Sequence, residues 1–288
     1  KNNPVSLESG TSHKMQLVTG PANATDHRIK WTSSNKTAAT VDENGTVTAL
    51  RPIETVTITA VYKTNPALTC SWNLKITRTK GYITKQMLDN LDLTAIKKVM
   101  ITAHPDDETL WGGGHLIEGE YLVVCMTHGW NPKRRTAFEQ TMRTTNDKYL
   151  ILDYPDVRKT FSNGKYETDM LSSCKNAMQE DINLILSYKK WDLIATHNPF
   201  GEYGKFLHKT ISQMVTQCYN KMTNKSATLY YFGRYYNSSN KIPGEQISPE
   251  LLAIKNTMVD RYYPTAKGAI VAFGHMIPYE NWLLPSEW

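Results

Sequence analysis

Between residues 5 and 79, apolar and polar positions alternate in short runs, at 14–18, 29–31, 46–50 and 56–61. A repeat of two is the signature of a strand with one buried face, and clusters of Thr, Ser and Asn punctuate the runs. The Asn44-Gly45 pair predicts a tight hairpin turn, because both residues tolerate positive φ. With no helical period in this stretch, the pattern predicts a small all-β sandwich over residues 1–80.

From about residue 81 the pattern changes. Continuous apolar runs at 99–103, 121–127, 149–152, 192–196 and 228–232 alternate with helical patterns near 134–148, 169–188, 205–220 and 248–262. In the third helix Phe206, Leu207, Ile211, Met214 and Val215 keep the helical period. Strands alternating with helices predict an α/β domain over 81–288, a mainly parallel, Rossmann-like sheet with helices on both faces. Ligands of such sheets bind beyond the carboxyl ends of the strands, so the residues after Ala103 and Thr196 are the first candidates for chemistry.

Composition changes this picture little. The 288 residues are 40% hydrophobic and 21% charged, an ordinary globular profile. The net charge of +6 is scattered, with Lys133, Arg134 and Arg135 the densest spot, which argues against a nucleic-acid partner. No apolar run reaches the ~20 residues of a membrane span. The chain opens at Lys1 on a polar segment without a signal peptide, and the expectation is a trimmed or mature form. The four cysteines match no zinc ribbon or redox motif. Cys125 is expected to be a buried thiol, while Cys174 and Cys218 lie on two helical patterns that would let them pair if those helices are neighbours. Asn23, Asn44 and Asn237 open Asn-x-Ser/Thr triplets, which matter only in a secreted eukaryotic chain.

The stretch after Ala103 reads His104-Pro105-Asp106-Asp107-Glu108. An imidazole and three carboxylates at a strand end need water, partners or a cation. A helix cap would explain one Asp and leave His104 and the second acid unexplained. Gly112, Gly113 and Gly114 follow, and would let backbone pass close to a bound group. After Thr196 comes His197-Asn198-Pro199-Phe200-Gly201-Glu202-Tyr203-Gly204, then Lys205 and His208. Two strand ends offering histidine and carboxylate match a catalytic zinc with three protein ligands and one open position. Spacing alone does not choose among His104, Asp106, Asp107, Glu108, His197, Glu202 and His208.

Two resemblances add to this. The order Trp31-Thr-Ser-Ser-Asn35, Ala39-Thr-Val-Asp42, Asn44-Gly-Thr-Val47 and Ile58-Thr-Ala60 resembles the bacterial immunoglobulin-like repeat of group 2. That resemblance implies a secreted or cell-surface location, with the first domain as spacer or attachment. The His-Pro-Asp-Asp-Glu motif with the distant Gly-Glu-Tyr-Gly, over residues 96 to 288, resembles the LmbE-like family, which includes the PIG-L N-acetylglucosaminyl-phosphatidylinositol de-N-acetylases. The resemblance implies His104, Asp107 and His208 as metal ligands, Asp106 as general base and Zn2+, or another divalent metal, as cofactor. It also places Lys205 where relatives carry a histidine that acts on the oxyanion or leaving group, and Arg135, or its neighbour Arg134, at a substrate contact.

The implied reaction is removal of the acetyl group from an N-acetylglucosamine-type sugar. A metal-bound water attacks the amide, and Asp106 takes its proton. Tyr203 and His197 are expected to line the pocket for the sugar or glycan substrate, and Glu108 to be a hydrogen-bond partner behind the ligands. Trp111, Trp130 and Trp282 are candidates for stacking on a sugar or for the core. His115, His128 and His275 are expected to be structural. The rival readings are an amidase acting on a larger amide and a glycan-binding protein with a weakened site.

Overall fold

The computed structural model describes residues 3–20, 28–157, 169–223 and 225–288; the Asn23 triplet lies outside them. The chain divides into two compact units, residues 1–80 with 158–177 and residues 81–157 with 178–288.

The first unit is a sandwich of seven strands among the described residues. They are β1 (Ser6–Glu8), β2 (Ser12–Lys14), β3 (Ile29–Ser33), β4 (Ala39–Val41), β5 (Thr46–Ala49), β6 (Ile53–Tyr62) and β7 (Thr69–Thr77). One sheet runs β1-β7-β6-β3 and the other β2-β5-β4. The alternate residues Val47, Ala49, Val56, Ile58, Leu74 and Ile76 meet between the sheets in one core, as the repeat of two requires. The Asn44-Gly45 expectation needs correcting. Of the pair Gly45 alone has positive φ (77°), in a four-residue connection where the Asp42 carboxylate accepts the N–H of Asn44 and that of Thr46 at the start of β5. Tertiary packing singles out Gly45 as well, since a Cβ there would fall 2.6 Å from the Trp31 ring. The run at 14–18 shortens to its start: Met15 turns into the core and Val18 is exposed.

The second unit begins with α1 (Lys85–Asp89) and continues through β8 (Lys98–Thr102), α2 (Asp107–Glu118), β9 (Tyr121–Thr127), α3 (Pro132–Thr145) and β10 (Lys148–Tyr154). The division between the units falls inside α4 (Asp169–Tyr188), and from residue 178 on the second unit continues with the rest of α4, β11 (Leu193–Thr196), the single turn α5 (Gly201–Gly204), α6 (Phe206–Lys221), β12 (Thr228–Tyr231) and α7 (Pro249–Phe273). The sheet is all parallel in the order β10-β9-β8-β11-β12. All seven residues of β9 are buried, so both faces of the sheet are covered, which is why that run is apolar at every position. The chain steps outward from β8 to β10 and then returns to the other side at β11. The carboxyl ends of β8 and β11 therefore diverge into the crevice where such sheets bind ligands.

Helix α2 carries the Asp107 end of the motif and is broken at Gly112 (φ −151°). The break frees the Leu110 carbonyl and the N–H groups of Gly114 and His115. A buried ion pair repairs it: Lys255 donates to Leu110 O (3.2 Å) and to Glu280 (2.6 Å), and Glu280 accepts from Gly114 N and His115 N. The glycines thus serve packing, not a bound group. A Cβ on Gly112 would meet Met100 and Trp282, and one on Gly113 would meet Lys255 at 2.9 Å.

Cys125 is buried on β9, as its pattern implied. Cys174 and Cys218 are free thiols rather than a bridge, and the Cys218 sulfur instead lies 2.6 Å from Gln179 Nε2.

Candidate metal centre

Four strand ends supply the site: β8 gives His104 to Asp107, β9 gives His128, β10 gives Asp156, and β11 leads through α5 to His208 on the first turn of α6. Three atoms converge. His104 Nδ1 lies 3.2 Å from Asp107 Oδ2 and 3.1 Å from His208 Nε2, and His208 Nε2 lies 3.3 Å from Asp107 Oδ2. All three residues are buried.

The hydrogen bonds behind these atoms decide where their lone pairs point. His208 Nδ1 is 2.5 Å from Glu202 Oε2 and His104 Nε2 is 3.0 Å from Asp156 Oδ1, so each ring donates its proton to a carboxylate on its far side. The two remaining imidazole lone pairs then face each other at 3.1 Å, which is repulsive unless positive charge sits between them. A tetrahedral zinc with bonds of about 2.0–2.1 Å spaces its ligands about 3.3–3.4 Å apart, close to this triangle. Carboxylates behind ligating histidines are the usual device for fixing tautomer and ring direction. The residues present fit a divalent cation.

Electrostatics agree. Burial opposes charge on Asp107, but the imidazoles of His208, His197 and His104 hold it well below the usual carboxylate range. Asp156 is drawn down against burial chiefly by His104. Despite burial, Asp107 raises the pKa of both His104 and His208, so the cluster attracts positive charge, proton or metal.

Asp106 differs from its neighbours. Its backbone has φ 145°, a conformation L residues rarely adopt, and it occupies the cap position of α2 without a capping bond from its side chain. Glu108 helps hold the turn by accepting the Asp106 N–H (3.0 Å), while Thr109 and Tyr262 donate to its other oxygen at 2.7 Å each. Glu108 is therefore fully engaged behind the site. The Asp106 carboxylate accepts no hydrogen bond among the described residues and lines the cavity. Burial and the charge of Asp107 push it up to about 7.

The cavity has a volume of about 120 Å3, room for about four waters, and is bounded by Leu110, Ala269 and Phe273 on its apolar side. Tyr203 and Lys205 line it. His197 does not: it is fully buried, stacked on His208 at 3.9 Å, with Nε2 accepting the Ala103 N–H (2.9 Å) and Nδ1 against Glu202 (3.1 Å). Burial is outweighed at His197 by Glu202 and Asp107, which push it up to about 9. The Ala103 N–H nonetheless requires a lone pair on Nε2, so this bond selects the neutral ring protonated on Nδ1. His197 ties the ends of β8 and β11 together instead of meeting substrate. The two adjacent arginines part company. Arg135 pairs with Glu139 (2.9 Å), and Arg134 is the arginine at the cavity.

Two residues escaped the sequence reading. Asp156 belongs to no motif, and only its place two residues past the end of β10 could have marked it. His128, expected to be structural, lines the cavity with positive φ (66°), its Nε2 3.7 Å from Asp156. The tryptophans are mostly accounted for elsewhere: Trp111 is in the core and Trp282 stacks on His115 at 3.7 Å, while Trp130 lies beside His128. His275 bonds the Tyr236 carbonyl.

Residues 1–71 match the bacterial Ig-like domain (group 2). The chain is 31% identical over 175 residues to the uncharacterized protein L374 of Acanthamoeba polyphaga mimivirus, an alignment covering 55% of this chain and 67% of that one. It is 32% identical over 111 residues to the uncharacterized protein CA_P0160 of Clostridium acetobutylicum, covering 38% of this chain and 11% of that one. Among solved structures, the conserved protein TT1542 from Thermus thermophilus aligns with a TM-score of 0.46 at 12% identity, over 67% of this chain and 96% of the other. A GH10 xylanase containing a bacterial Ig-like domain, from termite gut, aligns with a TM-score of 0.23 at 15% identity, over 92% and 68%. The chain belongs to one family with the mimiviral protein L374, and it carries a group 2 bacterial Ig-like domain in residues 1–71.

Proposed function

We propose that the α/β unit is a Rossmann-like, LmbE-type metal-dependent hydrolase that removes the acetyl group from an N-acetylated sugar. The observation that supports this most is the triangle of His104 Nδ1, Asp107 Oδ2 and His208 Nε2, with edges of 3.1–3.3 Å and a carboxylate behind each imidazole. Zinc suits a mixed nitrogen and oxygen set of this kind, and other divalent ions compete for it.

A divalent cation held by His104, Asp107 and His208 supplies Lewis acidity, polarising an amide carbonyl and acidifying water. The protein does the rest. Glu202 and Asp156 keep the two imidazoles neutral on the cation side and fix their direction. Asp106, held in its unusual backbone conformation with the help of Glu108, presents an unbonded carboxylate to the cavity. It accepts the proton of the attacking water and returns it to the nitrogen of the departing amine. Leu110, Ala269 and Phe273 give the acetyl methyl an apolar wall.

The N-terminal Ig-like domain suits a secreted or cell-surface enzyme, with that domain as spacer or anchor. Among the described residues no helix is long and apolar enough to cross a membrane.

The test is metal analysis of the purified chain together with acetate release from N-acetylglucosamine and its oligomers. The expected result is one divalent ion per chain and acetate release, both lost in His208→Ala. Absence of acetate release from every N-acetylated sugar in a metal-loaded preparation would refute the assignment.

A further inference from the structure

Two cations face the cavity without a carboxylate partner among the described residues. Lys205 stands at the start of α6, half-buried, and its charge acts on Asp156 across the cavity. The Arg134 side chain, also half-buried, donates among the described residues to the Thr265 carbonyl (3.3 Å), and its charge reaches Asp106 and His128. Neighbouring cations are treated differently. Lys255 is paired with Glu280 at 2.6 Å, and Arg135, next in sequence to Arg134, is paired with Glu139 at 2.9 Å. A partly buried cation loses hydration and regains it only through a counterion. Of the nearby carboxylates, Asp107 faces the imidazoles, Asp156 accepts from His104 and Glu108 is held by Tyr262, while Asp106 faces the same cavity without an ion pair to Arg134 or Lys205 among the described residues. The 16-residue helix α6 adds the positive end of its dipole on the same side.

We infer that the substrate of this site carries an anionic group, a phosphate or a carboxylate on the sugar, which binds between Lys205 and Arg134. This rests on the hydrolase assignment and narrows its substrate class. Arg134 offers a planar fork that matches either anion, and Lys205 offers a compact charge. A pair of cations serving only to balance the acidic cluster would act on neutral and anionic substrates alike, and that difference is measurable.

The experiment measures kcat/KM for acetate release from N-acetylglucosamine, its 6-phosphate and an N-acetylated aminouronate, using the metal-loaded full chain. The wild type is expected to favour one of the anionic sugars, with the 6-phosphate and uronate arms telling phosphate from carboxylate. Arg134→Met and Lys205→Met should each shrink that preference by about 10- to 100-fold, the worth of a charged hydrogen bond. Binding of inorganic phosphate, followed by calorimetry on the same metal-loaded chain, gives a readout that needs no turnover and should weaken in both variants. Equal kcat/KM for neutral and anionic sugars would overturn the inference and leave the deacetylase assignment standing. Phosphate binding that is strong and lost in both variants, with no acetate released from any sugar, would instead support the anion site and remove the deacetylase assignment.

Discussion

The two units bury polar groups in opposite ways. Among the described residues of the sandwich, Ser9 is the one buried polar side chain, and the core is made of Val, Ile, Leu and Ala. In the α/β unit His104, Asp106, Asp107, Glu108, His197, Glu202 and His208 are all buried, in the loops and first helical turns that follow two strand ends. Burying a titratable group is costly unless it is partnered. Among its described residues the sandwich avoids that cost. The second unit accepts it, most densely at the ends of β8 and β11, where each buried group orients the next.

The widest separation between the units should come from the proposed metal ligands. Ala in place of His104, Asp107 or His208 should abolish metal binding and reduce acetate release by about 1,000-fold or more, on the order of what loss of Lewis-acid and nucleophile activation costs. Asn in place of Asp106 should keep the metal and lose about 100- to 10,000-fold in kcat. Metal analysis alongside turnover checks both, and loss of metal in Asp106→Asn would remove Asp106 from its role as base.

A smaller effect is expected one layer back. Asp156→Asn and Glu202→Gln should weaken metal affinity by about 10- to 100-fold, read by competition with a chelating dye. Affinity should also fall as pH drops. Asp107 raises the pKa of both His104 and His208, so protons compete with the metal from a higher pH than an ordinary histidine would allow. A pH-independent affinity would contradict the proposed donor atoms.

In the sandwich, Ile58→Ala should lower stability by about 2–5 kcal/mol, since Ile58 is fully buried, while metal stoichiometry at room temperature stays unchanged. Loss of metal in that variant would break the contrast between the units.

The smallest effect concerns Asp147, a buried carboxyl outside the site that accepts the Tyr121 N–H and the Thr145 hydroxyl. Burial pushes it up to about 7, above its unfolded value near 3.9. The raised value favours the acid form in the fold, so its stabilising contribution is full below about pH 4 and is lost as pH rises to about 7. Asp147→Asn should therefore gain a few degrees in Tm relative to wild type between about pH 4 and pH 8, measured by thermal melts.

Much of this was legible along the chain. The apolar run at Tyr121–Thr127 could only be a strand covered on both faces, and the alternation around Val56 and Ile58 could only be a strand with one. His104, Asp107 and His208 were marked by a motif, and geometry brings them together. Helix α2 was not among the helical patterns, because three consecutive glycines are poor helix formers. What holds it at the break is Lys255 and Glu280, far away in sequence. His197 was placed at the substrate because it sits beside the other site residues in sequence, but a short loop has two sides, and its ring faces the strand ends. Arg134 and Arg135 could not be told apart because adjacent helical residues point about 100° apart, and only the packed helix shows which one faces the cavity.

By itself, then, the order of residues determined the two kinds of domain, the parallel sheet and the strand ends at which polar groups gather, since period and burial follow from local chain geometry. Tertiary structure alone decided which nitrogen of each histidine faces the centre, that Asp156 stands behind one of them, and that among the described residues two cations face the cavity without a carboxylate partner. Those depend on direction and distance between segments many residues apart, which no local pattern encodes.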